Sequence, residues 1–188
     1  MKRTPRALAC LALLLAGCGG GALVEPGPHE IGGSYRVTPR IEWSRASGYD
    51  NTELWTINGP LLEYVRFYHD LEDGDALLPE RRHGELPRYR NGMAPHEVME
   101  LITASYNRVG ASRVQAEGLT PAPFGHLDGF RFTLSYVTAS GLEYRALVAG
   151  AIDEQDHLQL VMYSGTQLHY YATSLSEIEH ILASISFL

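Results

Sequence analysis

The sequence predicts an α+β fold in which an antiparallel β-sheet is flanked by helices. Two segments, residues 95–109 and 174–186, have the apolar periodicity of amphipathic helices. Between them lies a run of strand-like segments over residues 130–163. One of these, residues 146–152, is apolar at every position, so both faces of that strand must be covered. Helices before and after a meander of strands therefore predict a sandwich with helices on both faces of one sheet.

The two predicted helices carry recognisable end signals. Pro95 suits the first helical position, where a backbone N–H has no partner in the helix. Gly110 ends the first helix. In the second helix, Ser174 and Glu177 have the spacing of a capping box. The apolar residues expected to face the core are Val98, Leu101, Ile102, Tyr106 and Val109 in the first helix, and Leu175, Ile178, Ile181, Leu182 and Ile185 in the second.

The predicted strands fall into two groups. Those before the first helix cover residues 35–37, 41–44, 54–57 and 61–67. Those after it cover residues 130–136, 142–152 and 157–163, separated by turns at 139–141 and 153–156. Residues 71–90 are polar and contain prolines, which predicts a loop.

The C-terminal third of the chain resembles the Mog1/PsbP-like fold. The resemblance rests on the strand start Gly129-Phe130-Arg131-Phe132, the long hairpin and third strand that follow, and the ending Ile181-Leu182-Ala183-Ser184-Ile185-Ser186-Phe187. It implies an α/β/α sandwich. It also implies a partner-binding role, because that family is mostly non-enzymatic and includes bacterial lipoproteins. No functional residue of the family transfers to a position of this sequence.

The first eighteen residues resemble the leader of a bacterial lipoprotein. Lys2, Arg3 and Arg6 form a basic start. The apolar run that follows, residues 7–15, is shorter than the roughly 20 residues needed to cross a bilayer. Leu15-Ala16-Gly17-Cys18 then matches a lipobox. We predict a signal peptide over residues 1–17 and lipid attachment at Cys18, the alternative being a plain secretory signal with an incidental cysteine.

The leader sets the expected organisation and location of the chain. Residues 18–33, rich in glycine, are predicted as the lipidated cysteine and a flexible tether, and residues 34–188 as one globular domain. The lipid bilayer is thus one expected partner. Gly19 follows the cysteine, and by resemblance to Gram-negative sorting signals this indicates an outer-membrane lipoprotein that faces the periplasm. A Gram-positive origin would remove that last inference.

Composition excludes several functional classes. The formal net charge is −7, which makes nucleic acid a poor candidate partner. The two cysteines are Cys10, in the predicted signal peptide, and Cys18, so the mature domain is left with no free thiol. Disulfides, thiol catalysis and cysteine-based metal sites are therefore not expected.

Three motifs are candidates for a catalytic or metal site. His96-Glu97-x-x-Glu100 lacks the second histidine of a metalloprotease helix, so acids at a helix N-terminus are the favoured interpretation. Asp70-x-Glu72-Asp73-Gly74-Asp75 could hold calcium but lacks the closing glutamate, so a solvated turn is favoured. Ser164 with His169 could be imagined as part of a triad, but no G-x-S-x-G elbow is present. We predict no enzyme activity, no cofactor and no metal site.

An aromatic segment near the second helix suggests a binding surface. His169-Tyr170-Tyr171, with Tyr163 before it, is interpreted either as core packing or as a partner surface. The latter hypothesis adds a positive spot on adjacent strands, so the candidate surface is Arg131, Arg145, Tyr163, His169, Tyr170 and Tyr171. The predicted function is a non-enzymatic binding or scaffold domain with an unidentified envelope protein partner. The alternatives are a small-molecule carrier and an envelope hydrolase.

Overall fold

The structure, a computed structural model, describes residues 21–49, 51–80 and 84–188. The predicted signal peptide and Cys18 lie outside the described residues. Eleven strands are described, namely β1 (Ala22–Val24), β2 (His29–Ile31), β3 (Tyr35–Val37), β4 (Trp43–Ala46), β5 (Thr52–Thr56), β6 (Glu63–Leu71), β7 (Ser112–Phe124), β8 (Leu127–Val137), β9 (Glu143–Ile152), β10 (Leu158–Thr166) and β11 (Ser186–Phe187). The described helices are α1 (Pro95–Arg108) and α2 (Tyr170–Ala183).

Eight strands form one antiparallel sheet in the order β1-β4-β5-β6-β10-β9-β8-β7, and β11-β3-β2 form a small second sheet. α1 and residues of the 71–90 segment cover one face of the large sheet, while α2 and the small sheet cover the other. The α+β fold class is confirmed. Residues 146–152 of β9 face both layers as predicted, since Ala146 and Val148 belong to the α1-side core whereas Leu147 and Ala149 belong to the α2-side core.

α1 agrees with the sequence prediction to within one residue. Its N-terminus is closed by Glu97, whose Oε2 accepts a hydrogen bond from the backbone N–H of Ala94 at 2.8 Å. This contact holds one peptide N–H that the helix cannot satisfy itself. The predicted apolar stripe is buried against the sheet through Val98, Leu101, Ile102 and Tyr106.

α2 differs from the prediction at both ends. It begins at Tyr170, four residues before the expected start, and Ser174 is buried inside it rather than capping it. The capping box is therefore wrong. Glu177 accepts hydrogen bonds from the backbone N–H and Nε of Arg40, at 2.7 and 2.9 Å. Arg40, which is distant in sequence, thus binds the carboxylate that the local spacing predicted would cap the helix.

The tether predicted over residues 18–33 is wrong for most of the part that the structure describes. β1 and β2 lie within it, and Val24 and Ile31 are 1% and 0% exposed. Val24 pairs with Trp43 and Ile31 with Tyr35. Two strands of three residues each are too short to show an alternating pattern in the sequence, and only large partners from elsewhere make them stable.

The longest strand, β7, was not predicted. It is the outermost strand of the large sheet and includes Pro121 and Pro123. Most of its residues are at least partly exposed, so it carries little apolar alternation. Proline is tolerated at an edge because one side of such a strand needs no N–H donor. The weak apolar alternation and the prolines, which kept the sequence from predicting β7, are both typical of an edge strand.

Candidate functional site

The predicted partner surface is assembled in part. Arg131 and Arg145 lie on β8 and β9 next to α2, which carries Tyr171 in its first turn. Tyr163 does not belong to this surface. It is 0% exposed, and its hydroxyl donates a hydrogen bond to the carbonyl of Tyr170 at 2.7 Å. At this position the core interpretation was the correct one, because β10 lies at the centre of the sheet.

The two arginines have acidic partners, so the expected positive spot is largely neutralised. Arg131 makes two hydrogen bonds to Glu179 of α2, at 2.6 and 3.2 Å. These bonds raise the pKa of Arg131. Arg145 lies 3.8 Å from Glu117 and places its guanidinium 5.6 Å from the ring centre of Tyr171. The result is a surface of alternating charges with one aromatic ring, rather than a cationic patch.

A groove of about 200 Å³ lies next to the Arg131–Glu179 ion pair. Its walls are mostly small apolar residues from the β7–β8 hairpin, from β9 and from the end of α2. They include Ala122, Pro123, Ala149, Leu182 and Ala183. Small side chains beside a polar pair leave room for an extended segment of another protein. Protein interfaces commonly have this arrangement, with apolar contacts at the centre and charges at the rim.

His169 immediately precedes α2 and Tyr170 is its first residue, four residues before the predicted helix start. His169 is exposed, and its ring meets that of Tyr170 edge-on at 5.0 Å. Tyr171 turns inward and stacks on Tyr163 at 5.6 Å. Of the three consecutive residues, His169 is therefore the one most accessible to a partner.

The structure does not bring the candidate catalytic residues Ser164 and His169 together. Ser164 is buried and shares the α1 side of β10 with Met162, whereas His169 is exposed beside α2 on the other side of the sheet. His96 is exposed at the start of α1. In the Asp70–Asp75 segment, Asp75 accepts a hydrogen bond from the backbone N–H of Glu72 at 3.0 Å, as expected for a turn.

A cluster that the sequence did not indicate joins the ends of β6, β9 and β10. Single ligand atoms of Asp70, Asp153 and His157, all half-buried, lie within 4.8 Å of one another. Gln159, which is fully buried, donates to Asp70 Oδ1 at 2.8 Å and to Asp153 Oδ2 at 2.9 Å. The hydroxyl of Ser34 donates to the other oxygen of Asp70. The cluster borders a depression of about 390 Å³.

Protein donors already satisfy both carboxylates of this cluster. Asp153 Oδ1 accepts the backbone N–H groups of Gln155 and His157, at 3.0 and 2.9 Å. Burial raises the pKa of Asp70, but the hydrogen bonds from Ser34 and Gln159 lower it by a larger amount. The resulting pKa lies below the usual value for an aspartate. The donor set suits a charged carboxylate that ties a hairpin turn to its neighbouring strand. A cation bound here would compete with those donors.

A second unpredicted cluster surrounds Arg66 on the α1 side of β6. Its guanidinium lies between the rings of Tyr49 and Tyr64, 4.9 and 5.2 Å from their centres. Nη1 donates to the Tyr49 hydroxyl at 2.8 Å, while Nε is buried with no hydrogen-bond partner among the described residues. The hydroxyls of Tyr106 and Tyr136 lie 3.3 and 3.5 Å from that of Tyr64.

The charge of Arg66 lowers the pKa of Tyr64 in this cluster. Burial raises the pKa of Tyr64, whereas the guanidinium and neighbouring hydroxyl donors lower it, and the net shift is downward. No carboxylate of the described residues lies within ion-pair distance of Arg66. Aromatic faces and phenolic oxygens therefore take the place of an anionic partner.

A depression of about 530 Å³ lies beside the 71–90 segment. Tyr49, Leu71, Leu78 and Pro79 form its apolar wall, and Arg88 contributes a charge that is paired with Glu80 at 2.7 Å. This volume falls within the range of small-molecule sites.

No described helix is long and apolar enough to cross a membrane.

No protein-family model matches the chain, and no curated protein matches it. A solved structure from Bacteroides thetaiotaomicron VPI-5482 is similar at a TM-score of 0.53 with 8% identity, covering 88% of this chain and 49% of that one. The chain thus spans about half the length of that structure and shares its fold. LpqN of Mycobacterium tuberculosis, described as involved in cell envelope biogenesis, aligns at a TM-score of 0.39 with 11% identity over 91% of this chain and 87% of its own.

Proposed function

We propose that the protein is a lipoprotein attached to a membrane through Cys18, and that its domain binds another envelope protein without catalysing a reaction. In a Gram-negative cell the proposed location is the outer membrane, facing the periplasm. We also propose that the domain has the Mog1/PsbP-like fold, and the layering of α1, one large sheet and α2 supports this.

The surface beside α2 is the observation that carries the binding role. It places Arg131 at the border of a largely apolar groove and, beside α2, Arg145 over the ring of Tyr171. Arginine and tyrosine are enriched where interfaces concentrate their binding free energy. The groove and its rim are built from strands and a helix, so a partner would meet a surface that is already ordered.

A paired substitution tests this surface. Arg145→Ala with His169→Ala removes two exposed side chains, so the fold should be retained. Arg36→Ala with His126→Ala is the matched control, since it removes one arginine and one histidine from elsewhere on the surface. Crosslinking in native envelopes should lose its partner bands with the first pair and keep them with the second. Equal capture by both variants would reject this surface as the interface.

The anchor is tested separately. Cys18→Ser should abolish incorporation of labelled fatty acid and block processing, because the thiol is the proposed attachment atom. The wild-type chain should incorporate the label, and a Cys10→Ser variant should behave like it. An acyl label that persists on Cys18→Ser would reject the proposed site.

The 530 Å³ depression favours a small-molecule carrier as the second candidate. Native mass spectrometry of the gently extracted full chain should then reveal a bound compound. Ala76→Trp, which narrows the depression, should release that compound. The hydrolase alternative receives no support from the described residues, since Ser164 and His169 lie on opposite sides of the sheet.

A further inference from the structure

Four exposed large apolar side chains lie at one end of the large sheet, which we call the leucine end. It consists of Ile57, Leu61, Leu142 and Leu168, which are 38%, 77%, 45% and 99% exposed. Backbone contacts hold their loops together. The N–H of Thr166 donates to Leu62 O, and the N–H of Gln167 donates to Glu143 O, both at 2.9 Å.

The loops of the leucine end carry no Asp, Glu, Lys or Arg. They comprise residues 57–62, 138–142 and 167–169, in a chain whose formal net charge is −7. The opposite end of the sheet is acidic, with carboxylates in the segments 70–75 and 153–156. The nine residues of β6 run from one end to the other, which places the two ends roughly 30 Å apart. The molecule thus has one end with uncharged apolar loops, bordered by the exposed Arg113–Glu143 ion pair, and one acidic end.

The turn that presents Leu61 is held by internal contacts. Glu63 is fully buried, and its Oε1 accepts the backbone N–H groups of Ile57 and Asn58 at 2.9 and 2.6 Å. The hydroxyl of Tyr144, on β9, donates to the carbonyl of Leu61. Exposure of this leucine is therefore a property of a well-packed turn, and burying it within the domain would break these contacts.

The position of β1 limits how far the domain can lie from a lipid on Cys18. β1 begins at Ala22, four residues after that cysteine, and an extended chain spans at most about 3.6 Å per residue, or about 14 Å here. β1 is an edge of the large sheet and is separated from β6 by β4 and β5. Ala22, where the chain from Cys18 enters β1, pairs with Arg45, which pairs with Trp55 two residues before Ile57. The start of β1 therefore lies only about 7 Å along the strands from the leucine end.

We propose that the leucine end rests against the lipid bilayer, with Leu61, Leu142 and Leu168 entering the boundary between headgroups and acyl chains. This inference rests on the proposed anchor at Cys18. The short reach from β1 favours the bilayer over a second copy or a soluble partner as the occupant. Uncharged loops avoid the cost of desolvating ions at that boundary, while the acidic end is repelled by anionic lipid. Tyr170 lies two residues after Leu168, and its amphipathic ring suits the headgroup level.

A single-thiol experiment measures this orientation. Because Cys18 is consumed by lipid, Leu168→Cys provides the only free thiol of the processed chain. The full lipoprotein is labelled there with a polarity-sensitive dye and reconstituted in phosphatidylethanolamine–phosphatidylglycerol vesicles with brominated acyl chains. The matched control is Glu154→Cys, an exposed position at the acidic end. Quenching should be several-fold stronger at position 168 than at 154.

Three outcomes would overturn the inference. A chain that floats with vesicles but is quenched equally at both positions keeps the anchor and rejects the orientation. A chain that does not float rejects the anchor and the inference together. A dye at position 168 that is shielded without bromine-dependent quenching is covered by protein, either a second copy or a partner. As a further check, Leu61→Ser with Leu142→Ser should reduce quenching at 168 several-fold without changing the melting temperature, since both side chains are exposed.

Discussion

Gln159 and Asp70 hold each other by hydrogen bonds in both directions. The side-chain Nε2 of Gln159 donates to Asp70 Oδ1 at 2.8 Å, and the backbone N–H of Asp70 donates to Gln159 Oε1 at 3.1 Å. Asp70 has a φ of 48°, in the left-handed region, where β6 and β10 lose their regular register. The pair thus stabilises an irregular point of the sheet.

Replacing Gln159 by leucine should lower the free energy of unfolding by about 2–3 kcal/mol, because the half-buried Asp70 and Asp153 each lose one donor and the backbone N–H of Asp70 loses its acceptor. The measurement is the urea midpoint of the variant and the wild type at neutral pH. Gln155→Ala, at an exposed position in the adjacent turn, should change stability by less than about 0.5 kcal/mol. Similar losses in both variants would show that the buried network contributes no more than the turn itself.

The lowered pKa of Asp70 predicts an acid-sensitive contribution to stability. The unfolded-state pKa of an aspartate is about 3.9, and the folded-state value is lower, so the charged form is bound more favourably in the folded chain. The contribution is fully present above the unfolded pKa and is lost as pH falls through the folded one. The charged or titratable neighbours are His69, Asp153 and His157.

Asp70→Asn tests this contribution, since asparagine also tolerates a positive φ. The difference in unfolding free energy between wild type and variant should be constant above about pH 5 and should shrink below about pH 4. Chemical denaturation across that range measures it. Asp128→Asn, at an exposed position on β8, is the control for the loss of one carboxylate. A difference that stays constant down to acidic pH would mean that the Asp70 charge does not stabilise the fold.

We expect the domain to fold without a bound metal ion. The carboxylates of Asp70 and Asp153 already accept hydrogen bonds from Ser34, Gln159 and backbone N–H groups. The melting temperature should therefore be the same with and without a strong chelator. A drop of several degrees on chelation, absent from Asp153→Asn, would instead identify this cluster as a structural cation site.

Glu63 should be more important for stability than its place beside a surface turn suggests. Glu63→Ala removes the acceptor of two backbone N–H groups and should cost about 3 kcal/mol. Glu63→Gln retains a carbonyl oxygen at the same place and should cost about 1 kcal/mol or less. Thermal and urea unfolding measure both. Equal effects of the two substitutions would mean that the carboxylate charge, rather than acceptor geometry, is what the turn requires.

The sequence alone determined the fold class, the position of α1 and the central meander. These features have local causes. Pro95 and Glu97 define the start of α1, and the continuous apolar run 146–152 requires cover on both faces of its strand. The predicted signal peptide over residues 1–17 and the lipobox at Cys18 likewise rest on adjacent residues, and the proposed anchor follows from them.

Only the tertiary structure decided which polar residues meet. Asp70 and Gln159 are brought together by the pairing of β6 with β10, and Glu177 binds Arg40 instead of capping its helix. The leucine end likewise depends on the strand order, since its three loops are far apart in the chain. Periodicity records whether a side chain faces the core, but it does not record which distant side chain lies opposite, because that is fixed by sheet order and register.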